Sequence, residues 1–151
     1  MARQQKDFTY DNNLLLKDAG LVAASAAATV SAAAKVLDVG GSNPSRVDMR
    51  VIVDASAIEA DSANELFTIL VQFSNSSTFA SGIFNGPAIL LGVAGTTLES
   101  ASTAAGRREI GVTNELNGVC YRYMRLYTIV AGTIATGVNY SAFCVQTATA
   151  A

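Results

Sequence analysis

Histidine is absent from the 151 residues, which removes the side chain whose ordinary pKa lies nearest neutrality and the commonest metal ligand. Ser-His-Asp and Cys-His nucleophilic sites and histidine-bound metals are thereby excluded within this chain. The groups left for chemistry are few. Glu59, Asp61 and Glu65 cluster in IEADSANEL, and such carboxylates can hold a cation or divide into an acid and a base. Their spacing lacks the Asp-x-Asp-x-Asp-Gly order of a calcium loop, and they fall between two predicted strands, so they read as a solvated loop or a single turn of helix. Arg107-Arg108-Glu109 offers two guanidinium forks to an anion. Adjacent arginines at a strand start more simply reach solvent or an acidic neighbour, and a surface role, including an intersubunit ion pair, is expected. Gly92-Val93-Ala94-Gly95 lacks the glycine order, following helix and acidic partner of a dinucleotide site and is a turn. No catalytic residue, metal ligand or cofactor site is expected.

One aromatic feature stands out: Tyr121, Tyr123 and Tyr127, with Arg125 among them. Tyrosines two apart on a strand can stack sugars or bases, but tyrosine with arginine is also the composition of a protein interface. Core packing, an interface and a sugar platform stay open at this stage. Nucleic acid is disfavoured, because ten Lys and Arg against twelve Asp and Glu leave a net charge of −2 and no basic footprint.

These side chains need a scaffold, and the length suits one domain. Half the residues are hydrophobic, yet aromatics are 7% and Trp is absent, so the apolar excess is largely Ala. Residues 14–39 carry Lys17, Asp18, Lys35 and Asp38, which breaks any spanning run, and the polar start MARQQKDFTYDNN is unlike a signal peptide. Neither a membrane segment nor a leader is expected. Residues 1–13 read as a polar arm with Phe8 and Tyr10 as anchors, 14–147 as one domain and 148–151 as a tail. The Ala-rich run at 14–34 is ambiguous: alanine favours helix, while Gly20, Ser25, Thr29, Val30 and Ser31 spoil an apolar stripe.

From Val36 onward the signal is β. Residues 48–54 alternate, and Leu66–Ser74 alternates most clearly, with Phe67, Ile69, Val71 and Phe73 on one face. Short strands are expected at 88–93 and 110–113, with a surface loop at 94–106 between them. Residues 120–130 carry bulk on both faces, so one face meets the core and the other a partner or second sheet. A hairpin centred near Ile134 would join this strand to 138–147. That register sets Met124 opposite Cys144, leaving Cys120 and Cys144 roughly 13 Å apart, so both are expected as free thiols from a reducing cytoplasm. Seven or eight strands without strand-helix alternation indicate an all-β antiparallel jelly roll or β-sandwich with an extended N-terminal arm.

Three stretches carry a resemblance. DNNLLLKDAGLVAASAAATVSAAAKVLDVGG, FTILVQFSNSSTFAS and YRYMRLYTIVAGTIATGVNYSAFCV, in that order across most of residues 12–147, resemble the jelly-roll cement, or decoration, proteins that coat the capsids of certain tailed bacteriophages, the Bordetella-phage type. The chain departs from that pattern in its longer polar start and its 94–106 loop. The resemblance implies an extended Ala-rich segment and a structural virion protein on the outside of the capsid, made in the bacterial cytoplasm. Its implied partners are the major capsid protein and further copies of itself, as homodimer or homotrimer. The expected capsid or intersubunit surface comprises Phe8, Tyr10, Leu14, Leu15, Leu16, Arg107, Arg108, Tyr121, Tyr123 and Arg125. A carbohydrate-binding sandwich or a tail-associated structural protein is the alternative.

Overall fold

The computed structural model describes residues 12–92 and 103–146. A 3-10 turn, Asn12–Leu14, leads into a ribbon of short strands: Leu15–Lys17 (β1), Leu21–Val22 (β2), Ala26–Ala27 (β3), Thr29–Val30 (β4), Ala33–Ala34 (β5) and Leu37–Asp38 (β6). Four longer strands follow, Asp48–Ile58 (β7), Leu66–Ser74 (β8), Phe84–Leu91 (β9) and Gly106–Thr113 (β10). After the short pair Glu115–Leu116 (β11) and Val119–Cys120 (β12) come Tyr123–Ala131 (β13) and Val138–Gln146 (β14). One sheet runs β1-β14-β7-β10, with β2 also on β14; the second runs β3-β13-β8-β9, with β6 also on β13. All pairings are antiparallel, and the two sheets pack as an all-β sandwich.

Alternation builds the core. Met49, Val51, Val53 and Ala55 of β7 and Val138, Tyr140, Ala142 and Cys144 of β14 meet Phe67, Ile69, Val71 and Phe73 of β8 and Met124 and Leu126 of β13. Because side chains on a strand point to opposite faces with period two, each of these strands keeps its remaining residues for the outside. One polar pair crosses the core: the Tyr140 hydroxyl and the Thr128 hydroxyl lie 2.6 Å apart. Burial pushes the Tyr140 pKa up to about 12, so the phenol keeps its proton.

The Ala-rich segment is extended. Its pieces pair first with β14 and then with β13, so the ribbon passes from the edge of one sheet to the edge of the other. Leu16, Ala28 and Leu37 enter the core. Lys17 secures the crossing: its ammonium donates to the carbonyls of Asp18 at 2.9 Å, Gly20 at 3.1 Å and Tyr140 at 3.1 Å, and lies 4.7 Å over the Tyr140 ring. Burial lowers its pKa, and the three carbonyls supply the acceptors that a buried ammonium needs.

Leu66–Ser74 forms as expected, whereas three other expectations are corrected. The strands expected at 88–93 and 110–113 begin earlier, at Phe84 and Gly106, and the second takes in Arg107-Arg108-Glu109. The β13 and β14 segments do not form a hairpin: Met124 pairs with Phe73 and Leu37, while Cys144 pairs with Val51. Residues 132–137 are therefore a crossover between sheets. The carboxylate segment is a loop exposed from Ala60 to Asn64, Asp61 included, but its two glutamates are not solvated. It makes the opposite crossing from β7 to β8, with Glu59 6% and Glu65 0% exposed.

The two crossovers are clasped together. Glu59 accepts hydrogen bonds from the backbone N–H of Ala135 at 2.7 Å, of Thr136 at 2.8 Å and of Gly137, and from the Thr136 hydroxyl at 3.2 Å. Its own N–H donates to the Gly137 carbonyl at 3.2 Å. Glu65 accepts from the N–H of Ser62 and Asn64, shaping the turn that presents the Asn64 amide to Thr133. Loop N–H groups buried without acceptors cost free energy comparable to a lost hydrogen bond, and the carboxylates remove that cost.

Both cysteines are free, Cys144 in the core and Cys120 half-buried on β12. Burial raises the Cys144 thiol to about 12, and the thiolate is the reactive form. One equivalent of thiol per chain is expected to react with Ellman's reagent under native conditions and two in denaturant. A Cys120→Ser variant should show no fast-reacting thiol.

Candidate interaction site

With the core filled by one face of each strand, what this protein offers a partner lies on the outer faces and ends. On the outside of the first sheet, the register aligns Leu15, Phe143, Ile52 and Glu109 in one row. An ion pair lies in the row on one side, and a second joins Glu109 to the row on the other. Arg107 forms a bidentate pair with Asp54, Nε to Oδ1 at 2.9 Å and Nη2 to Oδ2 at 3.0 Å, and Arg50 Nη1 meets Glu109 Oε2 at 2.8 Å. The Arg107 hydrogen bond holds the Asp54 carboxyl below its usual range. Arg107 also lies 5.8 Å over the Phe143 ring. The result is a shallow apolar groove bounded by compensated charge. Exposed pairs of this kind contribute only about 0–1 kcal/mol each to stability.

On the outside of the second sheet, β13 presents Tyr123, Arg125, Tyr127 and Ile129, the last 41% exposed. Arg125 donates from Nε to Gln72 Oε1 at 2.9 Å, and Gln72 Nε2 donates to Asn85 Oδ1 at 2.9 Å, a polar ladder across β13, β8 and β9. The guanidinium lies 4.3 Å over the Phe79 ring and 5.4 Å over the Tyr127 ring. Phe79 comes from the loop after β8. The Ser74 hydroxyl folds that loop back, accepting from the Ser76 N–H at 3.0 Å and donating to the Ser81 carbonyl at 2.9 Å. Tyr123 carries the Arg122 guanidinium 4.9 Å over its ring, and Arg122 pairs with Asp38 at 2.7 Å.

Tyr121 is elsewhere. Its ring stacks on Phe84, centroids 5.7 Å apart and planes 16° from parallel, in an end groove shared with Asn75, Ser81 and the exposed Ile83 and Val119. The three tyrosines are thus not one platform: Tyr123 and Tyr127 share a face with Arg125, and Tyr121 belongs to the end of the sandwich.

The other expected surface residues scatter. Leu15 and Arg107 share the groove on the first sheet. Arg108 donates to the Gly106 and Ala104 carbonyls, at 3.1 and 2.5 Å. Leu14 is half-buried against the core. Leu16 is 0% exposed and offers no surface, which corrects its place among contact residues: with Leu15 facing out, alternation turns Leu16 inward. Phe8 and Tyr10, with most of the 94–106 loop, lie outside the described residues. Sequence reasoning missed Phe79, Gln72, Asn85, Ile83 and Val119. Only the exposed aliphatics left a signal, as apolar residues beside turn glycines. Among the described residues, no three His, Cys, Asp or Glu side chains gather as a metal site, and no helix is long and apolar enough to cross a membrane.

In comparisons with known proteins, no family model matches the chain, and no curated protein or solved structure is significantly similar to it.

Proposed function

We propose that this chain is a capsid cement, or decoration, protein: a non-enzymatic jelly-roll subunit that sits on the outside of a phage shell and bridges major capsid proteins. The observation that carries the reading is where the bulky outward side chains lie. Both outer sheet faces carry aromatic and aliphatic residues set among arginines, the composition enriched at interface cores, and the polar groups around them are largely paired within the chain. Such faces lose little by desolvation when covered. A subunit contacting two shell proteins gains avidity from weak contacts repeated by symmetry, which suits exposed, compensated surfaces better than a single deep pocket.

A sugar-binding role draws on one specific feature, the Phe84–Tyr121 stack beside Asn75 and Ser81. The deciding experiment is co-sedimentation of the full chain with undecorated, expanded shells of its own phage, with unexpanded procapsids and a glycan array in parallel. Saturable binding to expanded shells is expected. Binding to neither shell, together with glycan binding lost in Tyr121→Ala, would replace the capsid reading with the carbohydrate one.

A further inference from the structure

Six arginines fall among the described residues. Four of them, Arg46, Arg50, Arg107 and Arg122, lie in ion pairs with carboxylates of this chain, and Arg108 donates to backbone carbonyls. Arg125 differs. Its hydrogen bond goes to a neutral amide, Gln72 Oε1, and no carboxylate among the described residues comes within ion-pair distance of it. Two aromatic faces hold its plane in place.

The arrangement is built at a cost. Phe79 has φ +55°, a left-handed conformation unusual and strained for a bulky residue, yet it is buried at 5% exposure against the guanidinium. Burial also lowers the Arg125 pKa, and the nearby groups opposing that shift include no carboxylate. A cation partly desolvated without a counter-ion, and oriented by a strained aromatic, is not explained by folding stability.

We infer that Arg125, clamped between Phe79 and Tyr127, is a preformed receptor for a carboxylate of a partner protein, an Asp or Glu side chain that lands on the outer face of the second sheet. With Nε committed to Gln72, the Nη hydrogens are the donors left for an incoming acid, and charge-assisted bonds of this kind are strong and directional. On the same face, flanking Arg125 along β13 and across on β8, lie Tyr123, Tyr127 and Leu70, which would exclude water from the contact as apolar surroundings do at interface hot spots. A nucleic-acid phosphate is disfavoured, since the nearest other guanidinium on this face, Arg122, is held by Asp38 and backbone binding needs several free cations. This assignment deepens the interface reading above and rests on it for the identity of the partner.

The test has two arms. In the first, the full chain carrying 15N-arginine is titrated with hexaglutamate, hexaglutamine and inorganic phosphate at low salt, and the Nε–H signals are followed, with Arg125→Lys giving the assignment. The Arg125 signal should shift saturably with hexaglutamate, further than those of Arg46 or Arg122, and not with hexaglutamine. An Arg125 signal that moves no more than its paired counterparts, or moves at least as far with phosphate, overturns the inference. In the second arm, expanded shells are the probe. Arg125→Lys, which keeps the charge but loses the fork, and Phe79→Leu, which loosens the clamp, should each weaken shell binding about tenfold or more. Unchanged shell affinity in folded variants also overturns the inference, whereas wild-type chain that binds no shell overturns the capsid reading and leaves Arg125 to the first arm.

Discussion

Glu59→Gln is expected to lower the melting temperature at pH 7 by roughly 5–10 °C and to flatten the response of stability to acid. Glutamate at this position accepts four hydrogen bonds from the 135–137 segment. Glutamine supplies one acceptor oxygen and turns an NH2 toward N–H groups that then have no partner. The pH argument follows from the direction of the shifts. The Ala135 N–H, then those of Gly137 and Thr136, hold the Glu59 carboxyl below its ordinary 4.5, against the opposing effect of burial. The Ser62 N–H does the same for Glu65, opposed by burial and by the charge of Glu59. A carboxylate with a folded pKa below its unfolded one contributes stability that is complete above the unfolded value and disappears as pH falls through the folded value. The wild-type protein should hold its melting temperature from pH 7 to about 5 and lose it steeply below about 4. Glu59→Gln should start lower and fall less, its remaining slope coming from Glu65, which no longer feels the Glu59 charge, and from the exposed pairs of Asp38 and Asp54. Thermal unfolding at steps from pH 7 to pH 2.5 measures both curves, and parallel curves would show that Glu59 carries no acid sensitivity.

Which parts of this architecture were legible follows from how local each cause is. Leu66–Ser74 was readable because its own alternation decides which face is buried, and β13 because both its faces carry bulk. The pairing of β13 and β14 was misread because a Gly-containing turn between two apolar segments looks the same whether the chain reverses within a sheet or crosses to another. The deciding contacts come from Glu59 and Asn64, some seventy positions away. The same distance hid the carboxylates: acidic residues among Ala, Ser and Asn have the composition of a solvated loop, and only the opposing crossover supplies the N–H groups that bury them. In the Ala-rich run, Ser31 and Ala32 take φ +52° and +64° to turn β4 into β5, where Asn-Gly is the usual signal. Asp18 caps that turn by accepting the Ser31 N–H at 2.8 Å. At the candidate site, Arg125 and its tyrosines were visible as residue types, but Phe79 was not, since its place depends on Ser74 folding the following loop back.

Gly137→Ala should destabilise the fold by about 3 kcal/mol or more, in a crossover where Gly132 is equally hemmed in by backbone. Gly137 has φ +101°, outside the range that side-chain-bearing residues readily adopt, and a Cβ there would lie 2.2 Å from the Val22 carbonyl oxygen and 2.7 Å from its carbon. Both obstacles are backbone, so no rotamer change relieves them. Moving the crossover away would break the reciprocal hydrogen bonds between Gly137 and Glu59 and lift the ribbon at Val22 from β14, where Val138 is its register partner. Gly111→Ala on the edge strand β10 is the control, because its φ lies outside the left-handed region and a Cβ there meets nothing within 4 Å. That substitution should be neutral or slightly stabilising, through the reduced freedom of the unfolded chain. Urea unfolding of the two variants separates the causes. A large loss confined to Gly137 locates it in the meeting of crossover and ribbon, whereas similar small losses at both sites would mean that the crossover yields to an added methyl and does not hold the sheets in register.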